Sequence, residues 1–147
     1  MNKNGPIIII EDNQAEQEIL NSIFEKLDYT NQIIFFTDAE AALEFLNSPN
    51  NIPFLILSDI KMPKLTGFDL REKLKTDAAL MIKCIPYLFF SSAIEQRNVI
   101  DAYSISVQGF FLKQNNPNEL EKTIRTIMEY WKRCYSPNNF QHAFLSE

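Results

Sequence analysis

Glycine is scarce in this chain: Gly5, Gly67 and Gly109 are the only three in 147 residues. A loop that wraps backbone N–H groups around a nucleotide phosphate needs several glycines close together, so a glycine-cradled nucleotide site is excluded. The two cysteines, Cys84 and Cys134, show no metal-ligand spacing and read as plain thiols. The single histidine, His142, stands alone in a polar stretch and reads as solvated, with no metal or catalytic role. No basic tract occurs and the formal net charge is −5, which argues against a nucleic-acid footprint. Every apolar run falls well short of the ~20 residues that a membrane span requires. No N-terminal stretch resembles a signal peptide, so a cytoplasmic protein is expected.

What is present is an ordinary globular composition, 46% hydrophobic and 22% charged, of a length that suits one domain with a real core. Apolar runs alternate with amphipathic stretches, the pattern of repeated βα units around a parallel sheet. Strands are expected at Ile7–Ile10, Ile33–Phe36, Phe54–Leu57, Tyr87–Phe90 and Gly109–Leu112. The first helix follows Asn13 with Ala15, Ile19, Ile23 and Leu27 at helical spacing, and the second follows Asp38 with Ala39, Ala42, Leu43 and Leu46. A third starts near Thr66 and carries Leu70 and Leu74; a fourth spans roughly Glu95 to Ile105. The last has Asn116 as cap, Pro117 in first position, a stripe of Leu120, Ile124, Ile127 and Trp131, and Ser136-Pro137 as its stop. Five strands and five helices imply an α/β, doubly wound, flavodoxin-like arrangement.

Chemistry concentrates where two buried strands end. Phe54-Leu55-Ile56-Leu57-Ser58-Asp59 is an apolar run closed by a carboxylate, and Pro63 and Gly67 then turn the chain. In open parallel sheets, ligands collect outside the carboxyl ends of the strands. Alone, such an aspartate reads as a helix cap. A second run, Pro6 to Ile10, ends in Glu11 and Asp12. If the two strands are neighbours, three carboxylates converge, and each pair about 4 Å apart repels by roughly 4 kcal/mol at an effective dielectric near 20. The cluster therefore calls for a proton, a lysine or a divalent cation, and hard oxygen ligands of this kind suit Mg²⁺.

At this point the chain resembles the receiver domains of two-component response regulators. The resemblance rests on Glu11-Asp12, on Asp59-x-x-Met62-Pro63-x-x-x-Gly67, on Ser91 after a fourth strand, and on Lys113 after a fifth, 22 positions further on. It covers roughly residues 6–134, with 135–147 left as a short tail and no output domain. The resemblance implies that Asp59 is the phosphoacceptor, that Glu11, Asp12, Asp59 and the backbone carbonyl of Lys61 hold Mg²⁺, and that Lys113 pairs with phosphoryl oxygens. It also implies that Ser91, rather than the adjacent Ser92, donates a hydroxyl to the phosphoryl group, with Phe110 at the aromatic switch position. Phosphate would draw Ser91 inward, bury the Phe110 ring and alter the surface of the fourth helix, fifth strand and fifth helix. The partners implied are a histidine kinase or histidine phosphotransfer protein and a downstream protein target. No nucleic acid and no membrane enter the scheme.

Two departures from the family pattern stand out. Gln114 follows Lys113 where receivers commonly have proline, so a trans bond is expected there. Lys61 occupies the position that in aspartyl-phosphate phosphatases carries a second aspartate, so the reading is a signalling phosphoacceptor and not an enzyme, with at most Mg²⁺-dependent self-phosphorylation and self-dephosphorylation. The Lys61 ammonium could overhang the site and reach Glu11 or a phosphoryl oxygen, which predicts slow loss of the phosphate.

Overall fold

The computed structural model describes residues 2–62 and 64–135. Along them run β1 (Ile7–Ile10), α1 (Gln14–Leu27), β2 (Ile33–Phe36), α2 (Ala39–Asn47), β3 (Leu55–Ser58), α3 (Gly67–Thr76), α4 (Ala78–Met81), β4 (Tyr87–Ser91), α5 (Gln96–Ser104), β5 (Gly109–Leu112) and α6 (Pro117–Arg133). The five strands form one parallel sheet in the order β2-β1-β3-β4-β5. This is the doubly wound, flavodoxin-like topology, with its switch point where the chain reverses direction across the sheet beside β1.

Burial explains why the strands read as continuous apolar runs. β1, β3 and β4 are buried at every position, because helices cover both faces, whereas β2 and β5 at the edges are mostly half-exposed. On one face, Ile7, Ile9, Leu55, Leu57, Leu88 and Phe90 pack against Leu20, Ile23 and Phe24 of α1 and Leu120, Ile124, Ile127 and Met128 of α6. The alternate residues Ile8, Ile10, Ile56, Tyr87 and Phe89 face the other layer, with Ala42 and Leu46 of α2, Leu70 and Leu74 of α3, Leu80 of α4 and Ala102 of α5.

The helix starts follow the expected cap chemistry. Asn13, Asp38 and Asn116 each accept backbone N–H bonds from the first turn they open, and Thr66 and Asp69 form a reciprocal capping box on α3. Gly67 serves a close approach: a Cβ there would collide with the Asp59 carbonyl and the Phe89 ring, so only glycine lets α3 begin against the end of β3.

Three expectations need correction. α1 buries Leu20, Ile23 and Phe24, while Ala15 and Ile19 face solvent. Ile23 and Leu27 of the expected stripe do pack on the core, but Leu20 and Phe24 share that face, so at its start the helix turns inward the neighbouring i, i+4 series. A sixth helix, α4, is a single turn capped by Asp77, too short to show a period. The face expected from the fourth helix, fifth strand and fifth helix is therefore that of α5, β5 and α6. β3 begins at Leu55 and ends at Ser58, one residue later than expected, and β4 runs on through Ser91. Pro63, the Ser136-Pro137 stop, His142 and the 136–147 part of the tail lie outside the described residues. Among the described residues both cysteines are free, and no helix is long and apolar enough to cross a membrane.

Candidate functional site

The parallel register pairs Ile10 with Ser58, which brings the next residues, Glu11 and Asp59, abreast at the carboxyl end of the sheet. Backbone bonds carry the ladder into the site: Asp59 N–H donates to Ile10 O at 3.1 Å, and Glu11 N–H donates to Phe36 O at 2.9 Å. On the far side, Lys113 N–H donates to Ser91 O at 2.7 Å, so the ends of β4 and β5 are joined in the same way. Strand alternation then decides which way Lys113 points. It follows Phe111 by two positions and so faces the α1 side of the sheet.

The Lys113 ammonium is the centre of the site. It donates to Glu11 Oε1 at 3.2 Å and to Glu16 Oε2 at 2.8 Å, and it stands 4.0 Å from Asp59 Oδ2. Lys113 and Glu11 are both buried, and Ile9, Leu20, Leu57 and Phe90 line the space beside them. Three carboxylates thus share one ammonium in an apolar setting, where unneutralised charge is costly. Burial pushes the Asp59 carboxyl above its ordinary range, Glu16 and Asp12 add to the rise, and Lys113 and the Ile60 N–H oppose it. The Ile60 bond is short, 2.7 Å from N to Asp59 Oδ1.

The donor set fits a hard divalent cation. Ligand oxygens of Glu11, Glu16 and Asp59 lie within 4.8 Å of one another. Glu11 Oε2 is buried and has no hydrogen-bond partner among the described residues, which leaves an acceptor for a cation to satisfy.

The remaining expected residues are placed as follows. Asp12 is exposed at the rim, close enough for its charge to be felt by Asp59. Lys61 is exposed and forms no ion pair among the described residues. Ser91 is buried at the end of β4, with its hydroxyl turned into its own loop: it donates to Ala93 O at 3.0 Å and accepts from Ala93 N–H at 3.3 Å. Ser92 is exposed and lines a cavity of about 160 Å³ together with Glu16, Lys113 and Gln114. Phe110 is half-buried on the opposite face from Lys113, its ring 5.9 Å from that of Phe89. No cis peptide occurs among the described residues, so the Lys113–Gln114 bond is trans.

Glu16 is the site residue that the reading of the sequence passed over. It sits in the first turn of α1, its N–H held by the Asn13 cap at 3.1 Å. The signal was available: Glu16 precedes the buried Leu20 by one helical repeat, so it continues the inward stripe of α1 to the carboxyl end of the sheet.

Comparison with known proteins identifies the family. The family model for the response regulator receiver domain matches residues 7–125. The chain is 28% identical over 129 residues to the probable methanogenesis regulatory protein FilR2 of Methanothrix harundinacea, covering 85% of this chain and 82% of that protein. To response regulator Rcp1 of Synechocystis sp. it is 27% identical over 132 residues, covering 85% and 87%. Among solved structures, the phosphorylated cyanobacterial phytochrome response regulator RcpA superposes with a TM-score of 0.78 at 24% identity, over 89% of this chain and 96% of that one. The Mn²⁺-bound form of Rcp1 gives 0.75 at 24% identity, over 88% and 96%. A family match across residues 7–125 takes in every strand of the sheet, and the chain belongs to the response regulator receiver domains of two-component signalling.

Proposed function

We propose that this protein is a response regulator whose receiver domain accepts a phosphoryl group on Asp59 from a phosphohistidine of a histidine kinase or phosphotransfer protein. The receiver domain comprises residues 6–134. The observation that carries the reading is the meeting of Asp59 with Lys113 beside the unpartnered Glu11 Oε2, outside the end of β3. An aspartate carboxylate is a competent nucleophile toward phosphorus, and phosphoryl transfer asks the protein mainly for positioning and for charge stabilisation.

In the transfer, an Asp59 oxygen forms the new O–P bond as the P–N bond to the imidazole breaks, and the departing nitrogen takes a proton from solvent. Lys113 then compensates the charge on the phosphoryl oxygens. Ser91 leaves its contact with Ala93 and donates its hydroxyl to one of them. Glu11, Asp12, Asp59 and the Lys61 carbonyl would hold a Mg²⁺, which when bound neutralises and orients those oxygens; the Mn²⁺ in the Rcp1 structure supports a cation in this role. Beyond loading and unloading its own aspartate, the domain turns over no substrate.

Movement of Ser91 changes the packing beside Phe110, since both lie on the Phe89 side of the sheet. The ring closes into that space and the α5, β5 and α6 surface changes with it, a two-state packing response to local charge. A protein target reads that surface, on which Ile94, Ile100 and Tyr103 are exposed. The setting is the cytoplasm, where the phosphodonor kinases act.

The test is an intact-mass measurement after incubation with acetyl phosphate. One phosphoryl group is expected on the wild type with Mg²⁺, and none on Asp59→Asn or after chelation. A mass gain that survives either control overturns the assignment.

A further inference from the structure

The closest partner of the buried lysine is not a residue that the phosphoacceptor scheme uses. Lys113 Nζ lies 2.8 Å from Glu16 Oε2, nearer than to Glu11 at 3.2 Å or Asp59 at 4.0 Å. The two carboxylates that hold it differ in freedom. The Glu11 side chain is 2% exposed and has no route outward, whereas the Glu16 side chain is 33% exposed at the start of α1 and can swing into water.

We infer that Glu16 is a resting-state latch: it holds the Lys113 ammonium away from Asp59 and must release it before a phosphoryl group can be bound there. The inference rests on the reading of Asp59 as phosphoacceptor. Three features combine to produce the latch. An ammonium has three N–H donors, and Glu11 and Glu16 occupy two of them. A Glu16 oxygen lies within 4.8 Å of an Asp59 oxygen, so its charge repels an incoming anion at the acceptor. Lys113 reaches a new oxygen near Asp59 most directly by exchanging its mobile partner, since the Glu11 contact is buried.

A bland account exists, in which Glu16 is only an acid that suits the first turn of a helix. That role is served by the charge in any outward direction and does not require contact with a buried lysine on another element. The direction of the side chain is what separates the two accounts. Glu16 is accordingly a positioning residue, acting on the phosphoryl site through Lys113.

The experiment compares wild type, Glu16→Gln and Glu18→Gln. Glu18 is exposed on the same helix, away from the site, so its variant removes the same charge without touching Lys113. At saturating Mg²⁺, Glu16→Gln is expected to take up phosphate from acetyl phosphate about fivefold faster, and to bind beryllofluoride about fivefold more tightly, the scale of one partly exposed ion pair. Glu18→Gln stays at the wild-type values. In the metal-free protein, the Lys113 ammonium should give a slowly exchanging ¹⁵N–¹H signal in wild type and lose it in Glu16→Gln. Equal or slower uptake in Glu16→Gln overturns the latch, as does weaker Mg²⁺ binding accompanied by slower uptake, which would make Glu16 a metal ligand instead. Failure of the wild type to take up phosphate or beryllofluoride at all overturns the acceptor reading beneath it, and the latch with it.

Discussion

Two lysines are buried at opposite ends of the sheet, and their surroundings differ in kind. Lys83, 9% exposed, follows α4 and donates to the carbonyls of Leu46, Ser48 and Asn51, where α2 ends and leads into β3. Lys113, 8% exposed, faces Glu11, Glu16 and Asp59. Desolvation lowers the pKa of Lys83, and these three acceptors are neutral carbonyls. Around Lys113 the carboxylates exceed the ammonium in charge and leave Glu11 Oε2 unsatisfied, so that end of the sheet is built to exchange partners. Burial of a lysine therefore says little by itself; the net charge of what surrounds it separates a structural tie from a reactive site.

The largest expected effect breaks the reactive side of this contrast. Lys113→Ala should lower the rate of phosphate uptake from acetyl phosphate about 100-fold, the usual cost of removing a charge-stabilising donor from a transfer site. Lys83→Met should leave that rate unchanged and instead lower stability by about 2–3 kcal/mol, because carbonyls at the end of α2 lose a charged donor. Urea unfolding and uptake kinetics on both variants measure the two effects side by side. If Lys83→Met slowed uptake as strongly as Lys113→Ala, the division of labour between the two ends would be refuted.

Much of the reactive end was legible in the sequence because strand ends are legible. Four isoleucines followed by Glu11, and a buried run followed by Asp59, place those carboxylates abreast once the strands pair in parallel. Lys113 follows by the same logic at the end of β5. Glu16 was missed because its place depends on which of two overlapping apolar series α1 turns inward. Ile23 lies in the core beside Leu20 and Phe24, but its series runs back to the exposed Ile19 and Ala15, whereas the series through Leu20 runs back to Glu16, and only contact with the sheet distinguishes the two. α4 escaped for a different reason, since one turn from Ala78 to Met81 carries no period. The cage of Lys83 was not legible at all, as its partners are backbone carbonyls and backbone atoms leave no mark on residue type.

A smaller effect tests the electrostatic strain at Asp59. Its carboxyl is raised by burial above the unfolded value, so the folded protein binds that proton more tightly than the unfolded chain does. The stability this supplies is present below the unfolded pKa near 3.8 and is lost as pH rises through the raised folded value. Above that range, ionised Asp59 opposes folding. Asp59→Asn should then raise the metal-free Tm by a few degrees at pH 7, with the difference vanishing below about pH 4. Mg²⁺ should narrow the gap by stabilising the wild type. A metal-free Asp59→Asn protein that melts below wild type at pH 7 would contradict the crowding of charge at this end.

The smallest expected effect concerns Lys61, which lies at the same end as Lys113 and stands outside the contrast. It lies two residues past Asp59, exposed and without an ion pair among the described residues, so the resting site does not use its charge. The proposed phosphorylation of Asp59 would change that balance, because a dianionic phosphoryl group there adds negative charge beside an exposed ammonium. Moved over the group, Lys61 would obstruct the water that hydrolyses it, while contributing little before the transfer. Lys61→Ala should therefore shorten the phosphate half-life about threefold, an effect of the size of an exposed ion pair, with the uptake rate nearly unchanged. Raising the salt concentration should shrink the difference between the two proteins, since an exposed pair is screened. Equal half-lives at low salt would restrict Lys61 to lending its backbone carbonyl to the cation, and would leave Lys113 as the one ammonium that acts on the phosphoryl group.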